Sequence, residues 1–146
     1  MTVEARARVH APVLAVWEAW TNLPDWPAWA PGVRQVDVDW SGDPHVGGMA
    51  RVHTPFGPRD FMITAVDAPA SWSWRGRLGA WSVTWRHDLA ERADGGADVA
   101  TLAEFSGPAR LIAEAVVGLA LRPAMQRKLR ALASLFEKGS APDPDG

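Results

Sequence analysis

His87 and Arg51 are the residues of this 146-residue chain whose types and surroundings suggest chemistry. His87 belongs to the alternating set Trp81, Val83, Trp85, His87 and Leu89. If that strand face lines a cavity, an imidazole points into it among tryptophans and can give or take a proton near neutral pH. The other reading is a core histidine bonded to a backbone carbonyl, or one on a strand end that has left the cavity. Arg51 shares a strand face with Met49 and His53, while Ala50, Val52 and Thr54 form the opposite one. Burial sends Ala50 and Val52 inward and leaves Arg51 in water. Arg75 has the opposite parity to Trp72 and Trp74 and is expected in solvent, where it can still stack on a ring. Glu104 alternates with a buried set of Val99, Thr101, Ala103 and Phe105, so no His87–Glu104 pair is expected.

Templates with fixed spacing are missing. The four histidines, His10, His45, His53 and His87, show no helical His-x-x-x-His spacing, so no metal site is expected. The chain has no cysteine, which excludes a thiolate nucleophile, a disulfide framework and a Cys-ligated zinc. It has no Gly-x-Ser-x-Gly elbow and no glycine-rich loop between strand and helix, so no nucleotide or redox cofactor is called for. Net charge is −2, and the basic residues, arginine except at Lys128 and Lys138, are scattered among acids. A nucleic-acid partner is therefore not expected. No apolar run is long enough to span a bilayer, and the first residues are charged where a signal peptide is apolar. The expectation is a cytoplasmic protein, monomer or homodimer.

The elements that would position these residues follow from periodicity. Val3, Ala5, Ala7 and Val9 alternate as a strand, and Pro12 opens a helix carrying Val13, Val16, Trp17 and Trp20. Leu23 to Gly32 is too rich in proline for more than a short turn of helix. Strands follow at Val36–Trp40, Met49–Thr54, Asp60–Asp67, Ser71–Arg75, Trp81–Leu89 and Val99–Phe105, separated by turn residues such as Ser41-Gly42-Asp43-Pro44, Gly76 to Gly79 and Ala93-Asp94-Gly95-Gly96. Ser106-Gly107-Pro108 leads into a long helix with Leu111, Ile112, Ala115, Val116, Leu119, Leu129, Leu132, Leu135 and Phe136 on its apolar side. Pro123 is expected to kink it. Residues 1–138 read as one domain and 139–146 as a disordered tail. The order predicts an α+β fold, a curved antiparallel seven-stranded sheet around one long C-terminal helix. Sheet and helix cannot close fully on each other, so a hydrophobic cavity remains between them.

Nine tryptophans and no tyrosine exceed what a core of this size requires. Trp17, Trp20, Trp26, Trp29 and Trp40 come early; Trp72, Trp74, Trp81 and Trp85 fall on two neighbouring strands. Trp26 and Trp29 read either as a cap on the core or as the lip of the cavity. Phe61, Met62 and Met125 are open between core and cavity wall.

Several segments carry a resemblance: Ala11-Pro12-Val13-Leu14-Ala15-Val16-Trp17, Trp26-Pro27-Ala28-Trp29-Ala30-Pro31-Gly32, Gly47-Gly48, Val66-Asp67-Ala68-Pro69, Gly95-Gly96 and Glu104-Phe105-Ser106-Gly107. With them the chain resembles the polyketide cyclase/dehydrase branch of the START-like, birch-pollen-allergen-like (SRPBCC) superfamily over nearly its whole length. The resemblance implies a helix-grip fold and a small hydrophobic ligand, aromatic or polycyclic. It also implies that Arg51 turns inward to polarise a ketone or hold an enolate. On that reading Arg51 and His87 are the catalytic pair of a cyclase, aromatase or dehydratase, and Trp29, Phe61, Trp74, Trp81, Trp85 and Leu119 bind the ligand. The alternative is a carrier or sequestering protein with the same cavity and no catalytic pair. A third reading makes the long helix or the Trp/Pro turn a surface for a protein partner.

Overall fold

The computed structural model describes residues 3–140 of the chain, with the side chains at 110, 113, 114 and 138–140 left aside. Strand β1 (Val3–Val9) is followed by helix α1 (Val13–Thr21) and a short 3-10 helix (Leu23–Ala28). Six strands come next: β2 (Gln35–Val38), β3 (Met49–Thr54), β4 (Gly57–Asp67), β5 (Ser71–Leu78), β6 (Trp81–Glu91) and β7 (Ala97–Ser106). Helix α2 (Arg110–Ser140) ends the described chain. All strands pair antiparallel in the order β1-β7-β6-β5-β4-β3-β2. This is the expected seven-stranded helix-grip architecture. The expected tail overlaps the end of α2 at 139 and 140, and its remainder, 141–146, lies outside the described residues.

Alternation decides the faces as it should for a half-buried sheet. Val99, Ala103 and Phe105 of β7, Val83, His87 and Leu89 of β6, and Trp72 and Trp74 of β5 are buried on the inner face. Arg75 and Glu104 are exposed on the outer one, as expected. Two turns differ from the expectation. Gly76 is not in a turn but buried within β5, opposite Phe61 of β4. A Cβ at that position would lie 2.7 Å from the Phe61 ring, so the missing side chain is what lets the ring lie flat over the strand. The real turn is Gly79-Ala80, between paired Leu78 and Trp81, and Gly79 takes the left-handed φ of +63° that the tight connection needs. Strand β4 likewise begins at Gly57 and runs through Pro58, three residues before the strand expected from Asp60.

Helix α2 runs through Pro123 and packs mainly on β1 and β7. At Gly118 the helix comes so close to β1 that an added Cβ would lie 3.1 Å from Val3. Further along, Gln126 Nε2 donates to the Arg6 carbonyl at 2.7 Å. Because Gly118 faces the sheet, Leu119, next in sequence and turned about 100° around the axis, is 82 % exposed. Leu111, Ile112 and Val116 are exposed with it. The first half of the helix therefore does not present the apolar side expected of it. Its second half does, through Met125, Leu129, Leu132 and Ala133. Gripping the β1–β7 side leaves the inner face of β4–β6 incompletely covered near Leu121, and that gap is the cavity.

Candidate functional site

The gap is a cleft of about 440 Å³. Phe61, Val83 and Trp85 supply its sheet wall, Leu121 and Ala124 its helix wall, and Phe56 its rim. Phe56 is 88 % exposed, an apolar ring at the mouth. Arg59, on the same strand parity as Phe61, also lines the cleft. It makes no ion pair or hydrogen bond with the described residues. An apolar slot with two unengaged guanidinium groups, those of Arg59 and Arg77, suits a flat apolar molecule carrying a polar group.

A larger groove, about 510 Å³, lies on the outer face of β1, β6 and β7. Most of its charges are engaged in surface pairs: Arg6 with Glu4, Arg92 with Asp98 at 2.8 Å, and Asp88 with Arg86 at 2.8 Å. Exposed pairs of this kind are solvated surface, so the cleft is the better candidate.

Behind the cleft lies an aromatic cluster. Phe61 stacks on Trp74 with ring centroids 4.3 Å apart. Trp74 meets Trp72 at 5.1 Å and Trp26 at 5.3 Å, both edge to face, and Trp20 meets Trp72 at 6.4 Å. Edge-to-face packing places the positive ring edge on a negative ring face. Trp26 Nε1 donates to the Trp20 carbonyl at 3.0 Å. The Trp72 indole N–H is buried with no acceptor. An orphaned donor of this kind costs about 1–3 kcal/mol.

His87 sits inside this cluster, 2 % exposed, stacked on its cross-strand partner Trp72 at 3.9 Å. Nδ1 lies 3.2 Å from the Trp72 carbonyl, and since a carbonyl only accepts, Nδ1 carries the proton. Burial first, and the Lys128 charge second, hold its pKa well below the ordinary 6.5. His87 is thus neutral at neutral pH and makes the backbone bond of a core histidine.

Arg51 is on the outer face, as parity alone predicts. Its Nε donates to Asp60 Oδ1 at 2.8 Å across the β3–β4 ladder, which raises the guanidinium pKa further. The inward turn implied by the resemblance does not occur, because Ala50 and Val52 take the inner positions of β3. Arg51 and His87 are not brought together. Of the expected ligand contacts, Phe61 and Trp85 line the cleft and Trp74 backs Phe61. Trp29 is half-buried against Trp26, at 5.6 Å. Trp81 donates its indole N–H to the Pro108 carbonyl at 2.7 Å and so fastens the entry to α2. Leu119 points to solvent, and Leu121 takes the place expected of it.

Lys128 was not singled out from the sequence. It is half-buried on α2, one turn beyond Ala124, and its Nζ lies 3.5 Å from the Trp26 ring centroid. Leu121, Met125, Lys128 and Leu132 follow at three- and four-residue steps, the spacing of a core-facing stripe, so an interruption of that stripe by a lysine was a readable signal. Burial lowers its pKa from 10.5 to about 7. Among the described residues no group of three or more His, Asp or Glu is placed to hold a metal ion, and no helix is long and apolar enough to cross a membrane.

These two displaced groups make stability pH-dependent in a stated direction. The unfolded chain binds a proton at Lys128 below about 10.5 that the folded chain refuses until about 7. Stability therefore falls as pH falls through that window. His87 adds a further loss below pH 6.5. With no tyrosine and no cysteine, few other side chains change charge between pH 8 and 10. One pKa unit corresponds to about 1.4 kcal/mol, and discounting the shift by half for partial exposure leaves ~2 kcal/mol. Urea midpoints are expected to rise between pH 7 and 10 in the parent chain and to stay flat in Lys128→Met.

A profile described as polyketide cyclase / dehydrase and lipid transport matches residues 1–137, and the chain belongs to that family. Among solved structures it is similar to a Bacillus halodurans protein determined in solution, with 23 % identity over 93 % of this chain and 96 % of that one, at a TM-score of 0.69. It is similar to DynU16, a protein of the dynemicin biosynthetic locus, with 23 % identity over 94 % of this chain and 48 % of DynU16, at a TM-score of 0.71. Norcoclaurine synthase from Thalictrum flavum, in complex with dopamine and hydroxybenzaldehyde, gives 12 % identity over 97 % of this chain and 88 % of the synthase, at a TM-score of 0.73. At these identities the likeness is one of fold. No curated protein sequence matches the chain.

Proposed function

We propose that the protein binds a small, flat, largely apolar molecule, aromatic or polycyclic, in the cleft between β4–β6 and α2. The observation that carries this is the cleft itself, with Phe61 and Trp85 on one wall and Leu121 and Ala124 on the other. Arg59 takes the ligand's polar end. In the cyclase reading the walls fold a reactive polyketone so that its carbon atoms meet, and acceleration comes from orientation. Family membership supports that reading, and norcoclaurine synthase shows the same fold holding small aromatic molecules. The carrier reading draws support from Arg51 lying outside the cleft and His87 being stacked into the core.

Calorimetric titration with 2-naphthol tests the binding. The expected result is one saturable site per chain, with a linear alcohol of similar carbon count binding more weakly. Heats that never saturate, or equal affinity for the two, contradict a flat aromatic slot. Incubation with a linear poly-β-ketone separates the readings: cyclised product above the buffer rate supports the cyclase, and tight binding with no product supports the carrier.

A further inference from the structure

We infer that the cleft takes an aromatic carboxylate, and that Arg59 holds its anionic end. This rests on the cleft reading and names the class of molecule the cleft takes. Arg59 shares the inner parity of Phe61 on β4 and lines the cleft half-buried, its guanidinium without a partner among the described residues. Asp60, the acid next to it in sequence, belongs to the outer face. Both Asp60 oxygens are taken there by Arg51, at 2.8 and 3.2 Å. Among the described residues no aspartate or glutamate lines the cleft. Arg77 of β5 adds a second unpaired guanidinium at its exposed edge. The lining is thus positive in a chain whose net charge is −2.

The hydrogen-bonding groups of the lining narrow the anion. Thr54 is spent, since its hydroxyl donates to the Gly57 carbonyl at 2.9 Å and accepts from the Phe56 N–H at 3.2 Å. The polar side chains left over, Arg59, Arg77 and the Trp85 indole, can only donate. An ionised carboxylate only accepts and satisfies such a site. An amine, an amide or a hydroxyl would leave its own N–H or O–H unpaired against those side chains. The shape of the slot favours carboxylate over phosphate. A carboxylate lies in the plane of its aromatic ring, so both enter together between Phe61, Trp85 and Leu121. Its two oxygens also match the guanidinium fork. A tetrahedral phosphate does not lie flat.

Calorimetric titration of the full chain at pH 7 with 2-naphthoate, 2-naphthol and 2-naphthyl phosphate tests this. Naphthoate is expected to bind roughly tenfold or more tighter than naphthol, and tighter than the phosphate. Arg59→Met, checked by circular dichroism, should lower naphthoate affinity by roughly tenfold or more and naphthol affinity by less, so that the preference collapses. Arg59→Lys keeps the charge without the fork and should recover part of it. Arg77→Gln, at the solvated edge, should cost naphthoate only about threefold. Naphthol or naphthyl phosphate bound as tightly as naphthoate overturns the carboxylate and leaves the cleft standing. A naphthoate preference that survives Arg59→Met overturns the role of Arg59. If none of the three binds, the cleft reading falls as well.

Discussion

Trp26→Ala is expected to destabilise the chain by about 4 kcal/mol, the cost of emptying a fully buried indole site. Trp26 is 1 % exposed. Its ring meets Trp29, Trp72 and Trp74 edge to face, and its N–H closes the bond to Trp20. It is also the ring beneath Lys128. The substitution thus opens a cavity at the junction of the 3-10 helix, β5 and α2 and lets water reach the amine. The Lys128 pKa should then return toward 10.5, which the pH dependence of amine labelling reads out. Trp85→Ala is the contrast. Trp85 is half-buried on the cleft wall, so its loss should cost about 1 kcal/mol in stability while removing ligand affinity. Urea melts of the two variants rank core against cleft. Equal destabilisation would mean that Trp85 is structural and the cleft wall is misassigned.

The second large effect is on binding. Ala124→Trp places an indole in the cleft from the helix side, at an exposed position where the fold bears little strain. Affinity for 2-naphthol should fall by roughly 100-fold or more, comparable to the ~3 kcal/mol for burying an apolar ring. Leu119→Trp, on the solvent side of the same helix, should leave affinity unchanged. If the two variants behave alike, the ligand is not between α2 and β6.

Strand parity carried most of what the sequence could say. Alternation in Trp81–Leu89 and Val99–Phe105 placed His87 inward and Glu104 outward, and both lie there because a sheet with one wet face has no other register. Parity also placed Arg51 in solvent; the resemblance implied the opposite, and the packing of Ala50 and Val52 decides it. Trp72 and Trp74 looked like surplus rings for a cavity. They are core, because Trp20 and Trp26, distant in sequence, supply the rings that pack on them. Such pairing has no local signature. The first half of α2 was illegible for a related reason. Its apolar residues follow a helical period, but the close approach of Gly118 to Val3 fixes which side meets the sheet. Lys128 was legible in principle, as a cation at a core spacing.

Side-chain NMR reports whether a ligand sits between the Phe61–Trp85 wall and α2. Nine tryptophans give nine indole N–H signals, which single Trp→Phe variants assign. Titration with 2-naphthol should shift Trp85 most and Trp74 next, saturate at one equivalent, and leave Trp17 and Trp40 in place. Saturable shifts at Trp17 or Trp40 with Trp85 unmoved would put the ligand elsewhere and contradict the account.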